Sequence, residues 1–254
     1  IRHVGNKLFK NYVEINLKAD KEGSGIFASV RSVEEFFLQL GAIAGNRLGN
    51  RDDTIVFLDE IQSYPHLMTM LKFLNEDGRY RYIASGSELG VALAQTPSVP
   101  IGSIAIEQMY PLDFEEFLLA MGCSQYTIDG MRNDSLHNYM LRQFKIYLLV
   151  GGMPDAINKF IMSRNIAQVR KIQRDIHSLY KLDASQYDEE RKLVIRKIYD
   201  MIPSNMENKK KRVIVKNIEH TAGHKQFSDY SDEFDYLVNS GVALSVQAIS
   251  NPKF

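Results

Sequence analysis

Two adjacent carboxylates, Asp59 and Glu60, directly follow the apolar run formed by residues 54–58. A continuous apolar run of this length is typical of a parallel strand that is covered on both faces. Carboxylates at the end of a buried strand are costly unless they serve a cation or a proton transfer. Nucleotide-hydrolysing enzymes use such a pair to hold Mg²⁺ and to polarise a water molecule. The pair is therefore the first candidate site in this chain.

The two acids predict different roles. We expect Asp59 to hold Mg²⁺ through a water molecule, and Glu60 to orient the attacking water and accept its proton. Ser85 and Ser87 follow the next predicted strand, residues 80–84. Ligands of open α/β sheets bind at the carboxyl ends of the strands, so one of these hydroxyls, Ser85 by preference, is expected on the γ-phosphate side. The alternative interpretation is that the acids end a strand and face solvent.

The other half of a nucleotide site is missing from the sequence. No stretch has the form G-x-x-x-x-G-K-[ST], the glycine-rich loop that cradles phosphates with its backbone N–H groups and a lysine. The chain therefore contains one half of an ATPase site. We expect these 254 residues by themselves not to hydrolyse ATP.

Composition limits the classes of protein and of partner. With 44% hydrophobic and 24% charged residues the chain is globular, and 31 basic residues balance 31 acidic ones. Because the net charge is zero, the protein as a whole does not attract nucleic acid or membranes, and such binding must come from a local charged patch. The single cysteine, Cys123, excludes an intramolecular disulfide and favours a reducing compartment. No apolar stretch reaches the length of a membrane span and no signal peptide is visible, so we expect a cytoplasmic protein.

Strand and helix patterns alternate over roughly the first 110 residues, which predicts a parallel α/β sheet. The later part of the chain changes to long amphipathic helices and then to a small second domain. Strands are predicted at 12–17, 54–58, 80–84, 104–109 and 242–250, and helices at 1–9, 33–48, 65–76, from Asp113, 131–149, 166–182 and 230–239.

A basic run lies in the linker of the last portion. It consists of Lys209, Lys210, Lys211, Arg212 and Lys216. Clustered lysines bind nucleic-acid phosphates without sequence preference and with strong salt dependence. We favour the alternative that this run is a solvated surface loop. The next predicted helix is rich in acidic residues, which would repel phosphate.

Five motifs occur in a fixed order along the chain: TIVFLDEIQ, YRYIASGSELGV, MYPLDFEEFLLAMG, LLVGGMPDAI and IQRDI. In this order they resemble prokaryotic AAA+ superfamily predicted ATPases that carry a C-terminal domain of unknown function, with a winged-helix segment and a restriction-endonuclease-like tail. The resemblance covers nearly the whole chain. It implies an α/β parallel-sheet P-loop NTPase core followed by a helical segment and a winged-helix domain, with ATP and Mg²⁺ as cofactors.

The resemblance also assigns residues. It implies that Asp59 and Glu60 form the Walker B element and that Ser85, with Ser87 as the weaker choice, is the sensor 1 residue. It places the missing phosphate loop just upstream of Ile1, because the helix pattern at 1–9 leads into a strand, and the tail beyond this chain.

An arginine finger is not assigned. Where relatives carry Gly-Arg before the PLDF motif, this sequence has Gly102-Ser103. The nearby basic candidates are Arg79, Arg81, Arg170 and Arg174.

We therefore expect an AAA+ core without its first strand and phosphate loop at 1–122, a helical connector or lid at 123–182, and a winged-helix-like domain at 183–254. The leading hypothesis is a Mg²⁺-dependent ATPase that couples its nucleotide state to movement of the C-terminal domains. The alternatives are a nucleic-acid-binding winged-helix protein and an interaction scaffold with a degenerate nucleotide site. A DNA or protein partner would bind through the winged-helix segment, no membrane is involved, and an oligomer is compatible with each hypothesis.

Overall fold

The computed structural model describes residues 1–86, 102–131, 133–184, 191–207, 215, 218 and 226–246. Two compact units make up the chain. The first comprises Ile1–Ile106 together with Val215–Phe254, and the second comprises Glu107–Ile214. Each unit has a hydrophobic core of its own. The division into three segments that the sequence suggests stays a prediction.

The first unit contains a three-stranded parallel sheet with the strand order β1–β2–β3. Its strands are β1 (Asn11–Asn16), β2 (Thr54–Asp59) and β3 (Arg81–Ala84). The central strand β2 is buried from its first residue to its fifth, which explains its continuous apolar run. The register pairs Asn16 with Asp59, so neighbouring strands end side by side. The predicted parallel α/β arrangement is confirmed for this unit.

Helices flank this sheet, and local sequence signals set their ends. They are α1 (Arg2–Leu8), α2 (Leu17–Glu22), α3 (Val33–Ala44) and α4 (Pro65–Asp77). A capping box between Ser32 and Glu35 begins α3. Pro65 occupies the first turn of α4, and Gly78, at φ 76°, ends it. A further helix, α11 (Ser231–Asn239), belongs to the same unit and follows a 3-10 turn, Phe227–Tyr230.

The second unit is helical in its described part. A capping box of Asp113 with Glu116 begins the first of its helices, as the sequence predicts. Among the described residues, no helix of either unit combines the length and the apolar character needed to cross a lipid bilayer. The helices are α5 (Phe114–Ala120), α6 (Gln125–Asp129), α7 (His137–Val150), α8 (Pro154–Ser163), α9 (Ile166–Ala184) and α10 (Lys192–Glu207).

The loop between α7 and α8 approaches another backbone segment closely. A Cβ atom on Gly152 would lie 2.1 Å from the carbonyl oxygen of Leu112, a distance that no side chain tolerates. The N–H of Leu112 donates a hydrogen bond to the Gly152 carbonyl at 2.8 Å, and the Tyr147 hydroxyl donates to the Leu112 carbonyl at 2.9 Å. Glycine at this position therefore allows the PLDF segment, which contains Leu112, to pack against the end of α7.

Three predicted elements are corrected. The strand predicted at 104–109 is wrong: Ile104 forms only an isolated bridge and residues 105–110 have no regular structure. Met109 is 91% exposed, which is not the burial expected of a residue in a covered strand. The strand predicted at 242–250 does not form in its described part, 242–246. The helix predicted from 131 begins only at His137, since a 3-10 turn, Asp134–Leu136, precedes it.

Asp20, in α2, connects the segment after β1 to the segment after β2. Its Oδ1 accepts hydrogen bonds from Ser24 Oγ at 2.9 Å and from the Ile26 N–H at 3.1 Å. Its Oδ2 accepts hydrogen bonds from the Phe27 N–H at 3.1 Å and from the Tyr64 hydroxyl at 3.0 Å. Burial acts to raise the pKa of Asp20, but these four hydrogen bonds outweigh burial and the net shift is downward.

We expect Asp20→Asn to lower the free energy of unfolding by about 1–3 kcal/mol at neutral pH, because an amide cannot accept all four hydrogen bonds. The folded-state pKa of Asp20 lies below its unfolded value, so its stabilisation is present above about pH 4 and is lost as the pH falls through the folded pKa. The variant lacks this acid-dependent component. Urea denaturation at neutral and acidic pH measures both effects.

Asp52→Asn is the matched control in the same unit. The Asp52 carboxylate is 86% exposed and pairs with Arg81 at 3.3 Å. An exposed pair of this kind contributes about 0–1 kcal/mol. An equal loss of stability in the two variants would contradict the connecting role of Asp20.

Candidate functional site

Polar side chains from three neighbouring strands meet at the carboxyl edge of the sheet. Asn16 ends β1, Asp59 ends β2 and Ser85 follows β3. The Ser85 hydroxyl donates a hydrogen bond to Asp59 Oδ1 at 2.5 Å. The Asn16 side-chain amide donates to Asp59 Oδ2 at 3.3 Å. Both oxygens of the central carboxylate are therefore bound by the neighbouring strands.

Backbone hydrogen bonds fix the same three segments. The N–H of Ser85 donates to the Leu58 carbonyl at 2.9 Å, and the N–H of Ile61 donates to the Ser85 carbonyl at 3.0 Å. The N–H of Glu60 donates to Asp59 Oδ1 at 3.1 Å. Ser85 thus contacts β2 through its backbone and through its hydroxyl, which makes its position independent of a single side-chain rotamer.

Glu60 adopts an unusual backbone conformation. Its φ of 57° and ψ of 44° lie in the left-handed region, which among the described non-glycine residues is shared only by Arg164. Strained conformations of this kind cost about 1–3 kcal/mol and cluster at functional sites. A 3-10 turn, Ile61–Ser63, follows at once. Gln62 Nε2 donates a hydrogen bond to Glu60 Oε2 at 2.7 Å.

The residues after this turn are attached to the segment that follows β1. Tyr64 is buried and contacts Asp20 through its hydroxyl. His66 Nε2 lies 3.1 Å from the Phe27 carbonyl oxygen, so the neutral ring carries its proton on Nε2. Burial lowers the pKa of His66 and outweighs this hydrogen bond, which favours the charged form. The turn that carries Glu60 is therefore held in place by two contacts to residues far away in the sequence.

The donor set fits a magnesium ion that takes part of its coordination from a nucleotide. A carboxylate has about four lone-pair sites. Asp59 uses three of them, for Ser85, Asn16 and the Glu60 N–H. Mg²⁺ in nucleotide sites typically takes one or two carboxylates and fills its other positions with water and phosphate oxygens. Within the described residues, no group of three or more His, Cys, Asp or Glu could hold a metal, so an all-protein cage is not the arrangement seen here.

The structure brings together three of the residues singled out from the sequence: Asp59, Glu60 and Ser85. Two contributors were missed, Asn16 and Gln62. Asn16 had a readable signal, because it ends a strand pattern and precedes a helix, and its Oδ1 accepts the Ala19 N–H at 2.8 Å as the cap of α2. The other predicted serine and the basic run lie outside the described residues: Ser87, Lys209, Lys210, Lys211, Arg212 and Lys216.

Two of the four arginine candidates, Arg79 and Arg81, are engaged in ion pairs. Arg79 pairs with Asp77 at 3.1 Å and lies over the Phe37 ring, with its guanidinium carbon 4.1 Å from the ring centroid. Arg81 pairs with Asp52 at 3.3 Å.

The other two candidates, Arg170 and Arg174, lie on α9 in the second unit. Neither has a carboxylate within 4.0 Å among the residues described. With Ala167, Gln173 and His177 they line an open pocket of about 560 Å³.

An α/β unit with a carboxylate held at the carboxyl ends of three parallel strands belongs to a class of sheets that bind ligands at that edge. Residues 1–118 match the model of a family described as an AAA domain, and the candidate residues Asp59, Glu60 and Ser85 all fall within this match. Residues 141–254 match a second model, a domain of unknown function (DUF8612). No curated protein and no solved structure matches the chain. The first match supports an AAA-like ATPase family, whose fold binds nucleotides.

The left-handed backbone of Glu60 predicts the relative stability of two substitutions. Glu60→Gly and Glu60→Ala both remove the carboxylate, but glycine adopts positive φ freely. We therefore expect Glu60→Gly to be more stable than Glu60→Ala by about 1 kcal/mol. The midpoints of chemical denaturation of the two variants measure this difference.

Glu76, in the last turn of α4, is the control. At a helical position alanine is favoured over glycine by about 1 kcal/mol, so the order of the two substitutions reverses there. The same order at both positions would show that Glu60 is not left-handed in solution.

Proposed function

We propose that the protein is an ATP-binding, Mg²⁺-dependent ATPase of the AAA type, with its chemistry at Asp59, Glu60 and Ser85. The observation that carries this proposal is the hydrogen bond of 2.5 Å from Ser85 to Asp59. This hydrogen bond joins the ends of two strands. In such an enzyme one strand end carries the carboxylate that holds the metal ion, here Asp59, and the other carries a hydroxyl that contacts the γ-phosphate, here Ser85. The match of residues 1–118 to an AAA domain supports the same function.

Each side chain has a separate task in the proposed reaction. Asp59 binds a water of the metal ion through its remaining lone pair. Glu60 takes a proton from the attacking water as the water oxygen bonds to the γ-phosphorus. The bond from that phosphorus to the bridging oxygen breaks, and ADP leaves with the electron pair. Ser85 contacts the γ-phosphate side and keeps Asp59 in place. Bound Mg²⁺ supplies charge neutralisation of the phosphate oxygens.

We expect Glu60→Gln, in a form of the protein that includes the predicted phosphate loop, to bind ATP with unchanged affinity and to hydrolyse it at least 100-fold more slowly. A glutamine cannot accept the proton, and loss of a general base typically costs a factor of about 10²–10⁴. Phosphate release under single-turnover conditions measures the chemistry, and titration with a fluorescent ATP analogue measures affinity.

Asp52→Asn serves as the control, because its exposed carboxylate belongs to the same unit and pairs with Arg81. Hydrolysis by Glu60→Gln at the wild-type rate would refute the assignment of Glu60. If the folded full-length protein binds no ATP, the proposal of an interaction scaffold with a degenerate site replaces that of an ATPase.

We further propose that the nucleotide state moves the C-terminal half, with residues 123–182 as a connector and 183–254 as a winged-helix-like domain. Helix α9, in the connector, is joined to α10, in the following segment, by the Lys181–Asp200 ion pair and by a ring contact between His177 and Tyr199 at 4.6 Å. These contacts support coupling between the two segments.

A second candidate function is nucleic-acid binding, and one observation favours it. Arg170, Arg174 and His177 are exposed on one face of α9, four and then three residues apart, and the two guanidinium groups lack carboxylate partners in the described part of the chain. The two unpaired guanidinium groups on this face suit backbone phosphates. The basic run formed by Lys209, Lys210, Lys211, Arg212 and Lys216, which lies outside the described residues, is a second set of cations for the same function.

We expect the double variant Arg170→Gln/Arg174→Gln to weaken oligonucleotide binding and to reduce the slope of log K against log salt by about 1–2, since each lost phosphate contact changes it by about 0.9. Fluorescence anisotropy with a labelled oligonucleotide at several salt concentrations gives the slope. A second variant neutralises Lys209, Lys210, Lys211 and Arg212.

Arg79→Gln is the control, because Arg79 is already paired with Asp77. Binding that is absent, or that responds neither to salt nor to these substitutions, would rule out this second function.

A further inference from the structure

The two oxygens of the Glu60 carboxylate have different surroundings. Oε2 accepts a hydrogen bond from Gln62 Nε2 at 2.7 Å. Oε1 accepts none from the part of the chain that the structure describes. Both side chains are half-buried, so solvent competes with this contact less than at an open surface. One carboxylate oxygen, Oε2, is therefore held by a hydrogen bond, and the other, Oε1, is available to a ligand.

The backbone around Glu60 makes this contact geometrically defined. The left-handed conformation of Glu60 turns the chain into the 3-10 turn Ile61–Ser63. The Ile61 N–H is bound to the Ser85 carbonyl at 3.0 Å, and the Ser63 N–H is bound to the Glu60 carbonyl at 3.0 Å. Residues on both sides of Gln62 are thus fixed, and the Gln62 amide reaches back over a single intervening residue.

We infer that Gln62 is a positioning residue that holds Glu60 Oε2 and leaves Oε1 as the oxygen that takes the proton from the attacking water. This inference rests on the proposed ATPase function. In that step a water O–H bond breaks, its proton passes to Oε1 and its oxygen bonds to the γ-phosphorus. The bond to the bridging oxygen breaks and its electron pair leaves with ADP. The amide of Gln62 takes no proton itself and acts through Glu60.

The separate effects on kcat and KM distinguish positioning from a merely structural role. Because Gln62 does not contact ATP in this scheme, its loss changes kcat and leaves KM almost unchanged. A general disturbance of the site would also weaken ATP binding and raise KM.

The test compares Gln62→Met and Gln62→Glu, in a form of the protein that includes the predicted phosphate loop, with ATP and Mg²⁺ at neutral pH. Methionine keeps the length of the side chain and removes the donor. We expect it to lower kcat roughly ten- to hundredfold, the effect of losing a hydrogen bond to a charged group, with KM within about twofold of wild type. Glutamate has the same shape and also removes the amide donor, so we expect it to lower kcat by a similar factor, again with KM within about twofold of wild type.

Gln125 provides the control, because its Nε2 also donates to a carboxylate, Asp129 Oδ1, at 2.9 Å, in the other unit. Gln125→Met leaves both kcat and KM unchanged. Thermal unfolding verifies that each variant is folded; if Gln62→Met does not fold, the isosteric Gln62→Glu decides the test.

The positioning role of Gln62 and the ATPase function can fail separately. If Glu60→Gln is inactive but the folded Gln62 variants keep the wild-type kcat, the positioning role is overturned and the ATPase function stands. A change in KM as large as the change in kcat has the same meaning. If Glu60→Gln hydrolyses ATP normally, the proposed function itself is overturned.

Discussion

The carboxylate of Asp59 lies where three parallel strands end, and the geometry of the site depends on the hydrogen bonds that it accepts there. A half-buried charge at the end of an apolar strand is costly unless donors surround it. Ser85, Asn16 and the N–H of Glu60 are those donors. They come from three segments, so the carboxylate also ties the strand ends together. The parallel register decides which residues meet: a shift by one residue would turn Asp59 to the opposite face and separate it from Asn16.

The turn after β2 follows from this arrangement. Glu60 lies immediately after Asp59 in a conformation that few side chains favour, and surrounding contacts must hold it there. The 3-10 turn provides the nearest of them. The Tyr64–Asp20 and His66–Phe27 hydrogen bonds, which span 44 and 39 residues of sequence, provide the rest. A catalytic carboxylate with fixed surroundings loses less orientational freedom during reaction than a mobile one. The stability of the fold around Asp20 and the proposed chemistry of Glu60 are therefore linked.

Local signals account for the parts of the fold that the sequence predicts. The apolar run of β2, the proline and glycine that bound α4, and the capping box at Asp113 act within a few residues, so each can be read directly. The segment 104–109 has a strand-like composition, but a strand needs a partner, and pairing is not encoded locally. Asn16 and Gln62 were missed because their contacts depend on strand register and on backbone conformation, which the sequence pattern does not show. Asn16 contacts Asp59 only because the register places them side by side, and Gln62 returns to Glu60 only because Glu60 has positive φ. The carboxylate pair and Ser85 were readable, since strand ends can be located from the pattern alone.

A crystal structure of the protein, with the predicted phosphate loop, Mg²⁺ and a non-hydrolysable ATP analogue, would test the proposed roles of Asp59, Glu60 and Ser85 most directly. We expect a metal-bound water within hydrogen-bond distance of Asp59 and the γ-phosphate on the side of Ser85. We also expect a second water near Glu60 Oε1, while Gln62 still donates a hydrogen bond to Glu60 Oε2. A nucleotide bound away from the carboxyl edge of the sheet, or a metal ion with no connection to Asp59, would contradict these roles.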